Sequence, residues 1–245
     1  DVTVVEDSNL PHKPDAVFPN NWISFHHNGS VITYPMFSPL RRLERRQQVM
    51  DRVADKFVID QHLQFESFEI TNQFLEGTGS MVLDRANQIA YACLSERTDN
   101  KLLELWCQKL SYIPFTFKAA SGGKPIYHTN VMMAIGSKLA VVCLDCLFDV
   151  NERADLKINL ESHRHLLEIT IDQMEAFAGN MLALKTNQGE DIMVMSSRAK
   201  ESLTSGQKKE IEKYSRIVSS PIPTIERIGG GSARCMIAEI FLVPR

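Results

Sequence analysis

Helix-like windows recur along this chain about every 50 residues, with two or three β-like runs between successive windows, and no other feature narrows the fold as much. The β-like runs are 2–5, 17–25, 31–34, 81–83, 89–94, 131–135 and 139–144, rich in β-branched and aromatic residues and bounded by Gly, Asn or Pro. In the window 39–56, Leu40, Leu43, Val49 and Val53 fall at helical spacing beside an arginine-rich face, and 99–110 carries Leu102, Leu103, Leu105 and Trp106. Two further helices are expected at 151–164, where the period is weaker, and at 204–214, where Thr204 is a candidate N-cap. A small β-rich unit repeated with one helix suits a radial array, and an ordinary mixed α/β sheet also fits. No low-complexity linker divides the chain, so residues 1–245 are expected to form one domain.

Composition removes several classes of function. With 44% apolar and 23% charged residues the chain can bury a core. Its net charge of −3 has no dense basic block beyond Arg41, Arg42, Arg45 and Arg46, which flank Glu44, so nucleic acid is not the expected partner. Five cysteines at irregular positions point to a reducing compartment rather than a disulfide scaffold. No apolar run reaches the roughly 18 residues a bilayer span needs, and DVTVVEDSN lacks the layout of a signal peptide. The expectation is a cytoplasmic protein with no membrane partner. Because the chain opens without Met on the strand-like VTVV, it is also expected to be the remainder of a longer one.

Three stretches carry chemistry. In FLEGTGSMVLDR, Glu76 precedes two glycines and a strand, which places a carboxylate where the backbone turns sharply; an ordinary turn has the same look. In IYHTNVMMAIG, His128 stands at a strand start, where a structural histidine is equally at home. In IERIGGGSARCMIAEIF, three glycines lead to Cys235, read as the first residue of the last strand, with Arg234 beside it to favour a thiolate. Cys93, Cys107, Cys143 and Cys146 lie in apolar segments and read as core. The Cys143–Cys146 spacing has no helix after it and no second pair, so neither a redox motif nor a metal site is expected. An acid, a histidine and a glycine-flanked cysteine fit covalent attack by a thiol on a trigonal carbon.

EGTGS, YHTN and GGGSARCM, together with FPNNW and SERT, resemble the sites of the guanidino-group-modifying superfamily: arginine deiminases, dimethylargininases and glycine amidinotransferases. The resemblance runs from about Asp15 to the C-terminus. It implies a five-bladed pseudo-symmetric α/β propeller (pentein) of repeated ββαβ units, the first blade incomplete in this chain. It further implies that Cys235 is the nucleophile, that His128 protonates the leaving amine and then activates water, and that Glu76 binds the substrate's planar nitrogens. Phe18 belongs to the matched FPNNW stretch, and Arg97 and Arg42 match arginines that hold an α-carboxylate, though Arg42 also reads as a solvated helix residue. No cofactor is implied; the partner is a small amino-acid substrate, and a homo-oligomer is left open.

The departures bear on the substrate. Arginine-processing members read Phe-x-Arg-Asp where this chain has Phe18-Pro19-Asn20-Asn21, and His-x-Asp where it has His128-Thr129-Asn130; Gly79 replaces a further acid. A guanidinium offers only donors and a charge, whereas Asn21 or Asn130 can donate to the carbonyl of a neutral ureido group. The chain is most similar to the citrulline-utilisation hydrolases (citrulline ureidases), which implies hydrolysis of citrulline to ornithine, ammonia and carbon dioxide through an S-carbamoyl-cysteine. A guanidino substrate with its charge matched by Asp15, Asp84 or an acid outside this chain, and a non-catalytic propeller module, are the alternatives.

Overall fold

The computed structural model describes residues 2–245. Strands β1 (Ile23–Phe25), β2 (Ser30–Thr33) and β3 (Gln61–Gln64) form a first sheet, with α1 (Pro39–Arg42) and α2 (Gln47–Ala54) in its crossover. A single turn, α3 (Gly77–Ser80), leads into β4 (Met81–Asp84), β5 (Ile89–Cys93), α4 (Asn100–Leu110) and β6 (Ile113–Phe117). After the ribbon β7 (Ala120–Ser121) and β8 (Lys124–Pro125) come β9 (Met133–Ile135), β10 (Leu139–Val142), α5 (Val150–Glu161) and β11 (His165–Glu168). Helix α6 (Ile171–Glu175) precedes β12 (Leu182–Lys185), β13 (Asp191–Ser196), α7 (Ser197–Ser202), α8 (Ser205–Glu212) and β14 (Arg216–Ser220), and α9 (Pro223–Gly229) leads to the tail.

The four three-stranded sheets share one plan. The first strand runs antiparallel to the second, as Ile23 opposite Thr33 and Met81 opposite Ala92, and the second runs parallel to the third, as Ser30 beside Gln61 and Ile192 beside Arg216. Parallel neighbours need a crossover, and the recurring helices supply it, which is the physical content of the sequence period. The middle strands β2, β5 and β10 are buried at every residue, as strands covered on both faces must be. Helix starts follow their caps: Asp99 accepts from Leu102 N, and Thr204 forms a capping box with Gln207.

Four units carry three-stranded sheets among the described residues. Residues 2–5 have no regular structure, and Cys235 lies in a 3₁₀ turn (Ala233–Met236) rather than opening a strand. The tail instead sends Ala238 and Leu242 into the cluster of Trp22, Phe25, Val31 and Met50, and only Pro244 makes a bridge, to Phe57. The expected strand 17–25 is shortened to Ile23–Phe25 because Pro19 starts a 3₁₀ turn, Pro19–Asn21. The expected helix 39–56 breaks at 43–46: just before the break Arg41 turns to Asn21 and Phe18 O and pairs with Glu44, and within it Arg45 turns to Glu69, a set of contacts that a continuous helix would not reach.

The first strands of the sheets face a shared interior. His27 beyond β1, Leu83 on β4, Ala134 on β9 and Ala183 on β12, with Glu239 and Phe241 of the tail, line a cavity of about 460 Å³. At the N-terminal ends of these strands lie short turns, and there the polar site is built.

Candidate active site

Pro19–Asn21, Gly77–Ser80, Thr129–Val131 and Ala233–Met236 each make one tight turn, the first three just before β1, β4 and β9, and they pack on one another. Turns of this kind hold side chains at the ends of strands, where backbone groups are not committed to a ladder. Between them is a pocket of about 130 Å³ whose walls include Phe18, Asn21, Arg97, His128 and Cys235. Five residues singled out in the sequence thus meet in one place although they span more than 200 positions. Asp15, Arg41, Tyr127, Asn180 and Gly229 to Gly231 complete much of the lining.

His128 Nε2 lies 2.7 Å from Glu76 Oε2. The other carboxylate oxygen, Oε1, accepts from Phe37 N at 2.9 Å, and Arg97 Nη1 stands 3.5 Å from Oε2. Burial alone would push the Glu76 carboxyl up, but His128, Arg97 and the Phe37 N–H outweigh it and hold it at about 2. Burial pushes the His128 imidazolium down, with Glu76 opposing. Glu76 is ionised, because three donors surround it, and it holds a neutral imidazole through Nε2–H. The free lone pair is then on Nδ1. Glu76 does not line the pocket; it stands against His128.

Asn21 has a fixed orientation. Its Oδ1 accepts from Arg41 Nη1 at 2.7 Å, and a guanidinium can only donate, so Nδ2 must be the end turned to Gly79 and His128. That Nδ2 is buried without a hydrogen-bond partner. A Cβ on Gly79 would collide with it and would stand 3.0 Å from His128 Nδ1, so the acid expected at this position elsewhere in the superfamily has no room here. Arg41 is itself buried and paired with Glu44 at 3.0 Å.

Cys235 is 5% exposed. Its Sγ lies 3.3 Å from Asn180 Nδ2 and 3.5 Å from Asn130 Nδ2. Asn130 does not border the small pocket; it reaches Sγ from the side of the larger cavity. The glycine run lies flat on Phe18: a Cβ on Gly229 or Gly231 would stand 2.8 Å from the ring, and Gly230 adopts φ +67° while its carbonyl accepts from Tyr127 Oη at 3.2 Å.

Arg42 is the residue the structure does not bring to the site. Its Nε donates to Met36 O at 2.9 Å and its guanidinium pairs with Glu69 at 3.3 Å over the Phe74 ring. One helical position moves a side chain by about 100°, and α1 points Arg41, not Arg42, inward. Asp84, the other acid considered as a source of charge, is spent on Arg164, whereas Asp15 borders the pocket. Asn180 and Tyr127 went unread in the sequence. Asn180 stands two residues before β12, as Asn21 stands two before β1, so the repeat itself held the signal. Tyr127 left only its place beside His128.

The remaining cysteines are buried in apolar clusters, and burial pushes the Cys93 and Cys107 thiols up to about 11 and about 12. Among the described residues no group of three His, Cys, Asp or Glu is placed to hold a metal ion, and no helix is long and apolar enough to cross a membrane.

The family model described as N,N dimethylarginine dimethylhydrolase, eukaryotic, matches residues 1–242. The chain belongs to that family. Its relatives are hydrolases acting on guanidino carbon–nitrogen bonds. Unliganded ArgZ, an arginine dihydrolase from the ornithine-ammonia cycle in cyanobacteria, superposes with a TM-score of 0.73 at 15% identity, over 95% of this chain and 34% of that one. Unliganded AgrE gives 0.71 at 14% identity over 91% and 30%. A dimethylarginine dimethylaminohydrolase adduct with 4-chloro-2-hydroxymethylpyridine gives 0.62 at 14% identity, over 91% and 78%. At these identities the likeness speaks for the α/β fold, and this chain spans about a third of the length of ArgZ. No curated protein sequence gives a significant match.

Proposed function

We propose that this member of the dimethylarginine dimethylhydrolase family is a thiol-dependent hydrolase, working as one catalytic unit, whose substrate is the ureido group of citrulline. The observation that carries the reading is Asn21 Nδ2, a buried donor without a partner whose orientation Arg41 fixes. A donor at that point suits the ureido oxygen and mismatches a guanidinium, which has donors only. Leaving such a pair unmatched costs about 1–3 kcal/mol, enough to shift selectivity from about fivefold to about a hundredfold.

In the proposed reaction His128 Nδ1 takes the proton of the Cys235 thiol, and the thiolate attacks the ureido carbon, forming a C–S bond. The developing oxyanion meets Asn21 N–H, a contact of a kind worth roughly 3 kcal/mol. The carbon–nitrogen bond to ornithine breaks, and the leaving nitrogen takes a proton from His128. His128, neutral again, removes a proton from water as the water attacks the S-carbamoyl carbon; the C–S bond breaks with its electron pair on sulfur, releasing carbamate, which yields ammonia and carbon dioxide. In this reading Arg97, which lines the pocket and whose Nε is buried without a partner, holds the substrate carboxylate.

A second reading rests on Asp15, a carboxylate bordering the same pocket that could meet a guanidinium, and on the substrates of the relatives, arginine dihydrolase and dimethylarginine dimethylaminohydrolase. Comparing kcat/KM for citrulline and arginine, with ornithine and ammonia counted, separates the two: preference for arginine would transfer the assignment to a guanidino hydrolase.

A further inference from the structure

Asn180 uses its amide in a way that leaves no choice of orientation. Its Oδ1 accepts from Arg234 N at 3.0 Å and its Nδ2 donates to Asn130 O at 2.8 Å. Reversing the amide would set two donors against each other at Arg234 and two acceptors at Asn130, so the second Nδ2 hydrogen must be the one at Cys235 Sγ, 3.3 Å away. The thiol's alternative, donating to Oδ1, spans 3.8 Å. The residue is wholly buried, so water does not compete for these bonds.

We propose that Asn180 is a positioning residue for the nucleophile: it ties the Ala233–Met236 turn through Arg234 N–H and presents a fixed N–H to the Cys235 thiolate. This rests on Cys235 being the nucleophile. The same N–H serves both halves of the reaction, stabilising sulfur before it attacks and again when the C–S bond breaks and the electron pair returns to it. Asn130 Nδ2, at 3.5 Å, is a second donor, but its amide is not pinned by backbone at both ends and its Oδ1 has no partner. A neutral amide is needed, since a carboxylate would repel the thiolate at this distance.

The test is alkylation of the whole protein by iodoacetamide over a pH series, with modification mapped to Cys235 by mass spectrometry, for wild type, Asn180→Asp and Asn180→Ala. In wild type, Cys235 is the fastest-labelled cysteine and labelling tracks loss of activity. If it is not, the nucleophile assignment and this proposal fall together. Asn180→Asp keeps an oxygen for Arg234 N–H, and its labelling profile moves to higher pH by about one unit, roughly a tenfold slower reaction at neutral pH, with kcat reduced more than KM is raised. Asn180→Ala moves the profile the same way by less. A folded Asn180→Asp with an unmoved profile overturns the proposal while leaving the nucleophile in place. If that variant does not fold, Asn180→Ala decides by the same criterion; if neither folds, Asn180 is a residue of the fold and the proposal is wrong.

Discussion

Glu76 Oε2 and His128 Nε2, 52 residues apart in sequence and 2.7 Å apart in space, fix which nitrogen of the imidazole carries the hydrogen and which is left free. With Nε2–H given to the carboxylate, Nδ1 is the nitrogen near Asn21 and the place of a Gly79 Cβ. Glu76→Gln replaces an acceptor with a group that can also donate, so the tautomer is no longer enforced. We expect kcat for citrulline to fall by about two to four powers of ten. The carboxylate also favours the imidazolium. Its loss therefore moves the acid limb of the kcat/KM profile to lower pH, and an acid limb that moved upward would contradict the arrangement.

Asn21→Asp keeps the bond from Arg41, because the retained oxygen still accepts it. What changes is the other atom, a donor N–H₂ becoming an anionic oxygen beside His128. Citrulline kcat/KM should drop about tenfold to a hundredfold, the scale of one or two unmatched hydrogen-bonding groups, and the arginine-to-citrulline ratio should rise. Steady-state assays of ornithine release on both substrates measure this. Unchanged citrulline kinetics would mean that Asn21 serves only the turn and Arg41.

Adjacent arginines are expected to differ sharply. Arg41 and Glu44 are 5% and 2% exposed, and the pair also holds Asn21 and Phe18 O, whereas Arg42 is 30% exposed and meets Glu69 at the surface. Burial pushes the Glu44 carboxyl up even with Arg41 beside it, so the pair contributes less than its geometry suggests; breaking it is another matter, because a buried carboxylate loses its partner. Arg41→Gln should cost about 3–5 kcal/mol of unfolding free energy and Arg42→Gln within about 1 kcal/mol, read from urea denaturation midpoints. Equal effects would contradict a structural role confined to Arg41.

The repeat, the helix cap at Thr204 and the candidacy of His128 and Cys235, which meet in one pocket, could be read from sequence because each depends on local pattern. The interruption at 43–46 could not, since it follows from what Arg41 and Arg45 find outside their own helix, Asn21, Phe18 O and Glu69, and helical spacing of Leu40, Leu43 and Val49 argues against it. The same limit explains Arg42 standing where Arg41 belongs: a one-residue choice of helix face is decided by packing. Asn180 is the instructive omission. An Asn before a strand is an ordinary turn residue by itself, and its meaning appears only when the fourth unit is set on the first and its amide is found between Arg234, Asn130 and Cys235.

Acid should loosen the fold through His26 before it reaches the carboxylates. His26 is buried, bonded through Nε2 to Ser24 Oγ at 2.8 Å and set edge-on to Trp106; burial, with Arg85 and His27 adding to it, pushes its imidazolium from 6.5 to about 3. A folded-state value below the unfolded one means that the unfolded chain takes up the proton first. The contribution of His26 is therefore complete above pH 6.5 and is lost progressively as pH falls towards about 3. Glu76, held at about 2 against 4.5, adds its own loss only below pH 4.5. Thermal unfolding followed from neutral pH downward should show Tm falling as soon as pH passes below 6.5, and His26→Gln, which cannot titrate, should lessen that first slope, to which buried His128 also contributes, while leaving the second. A wild-type Tm constant down to pH 4.5 would contradict the buried neutral histidine.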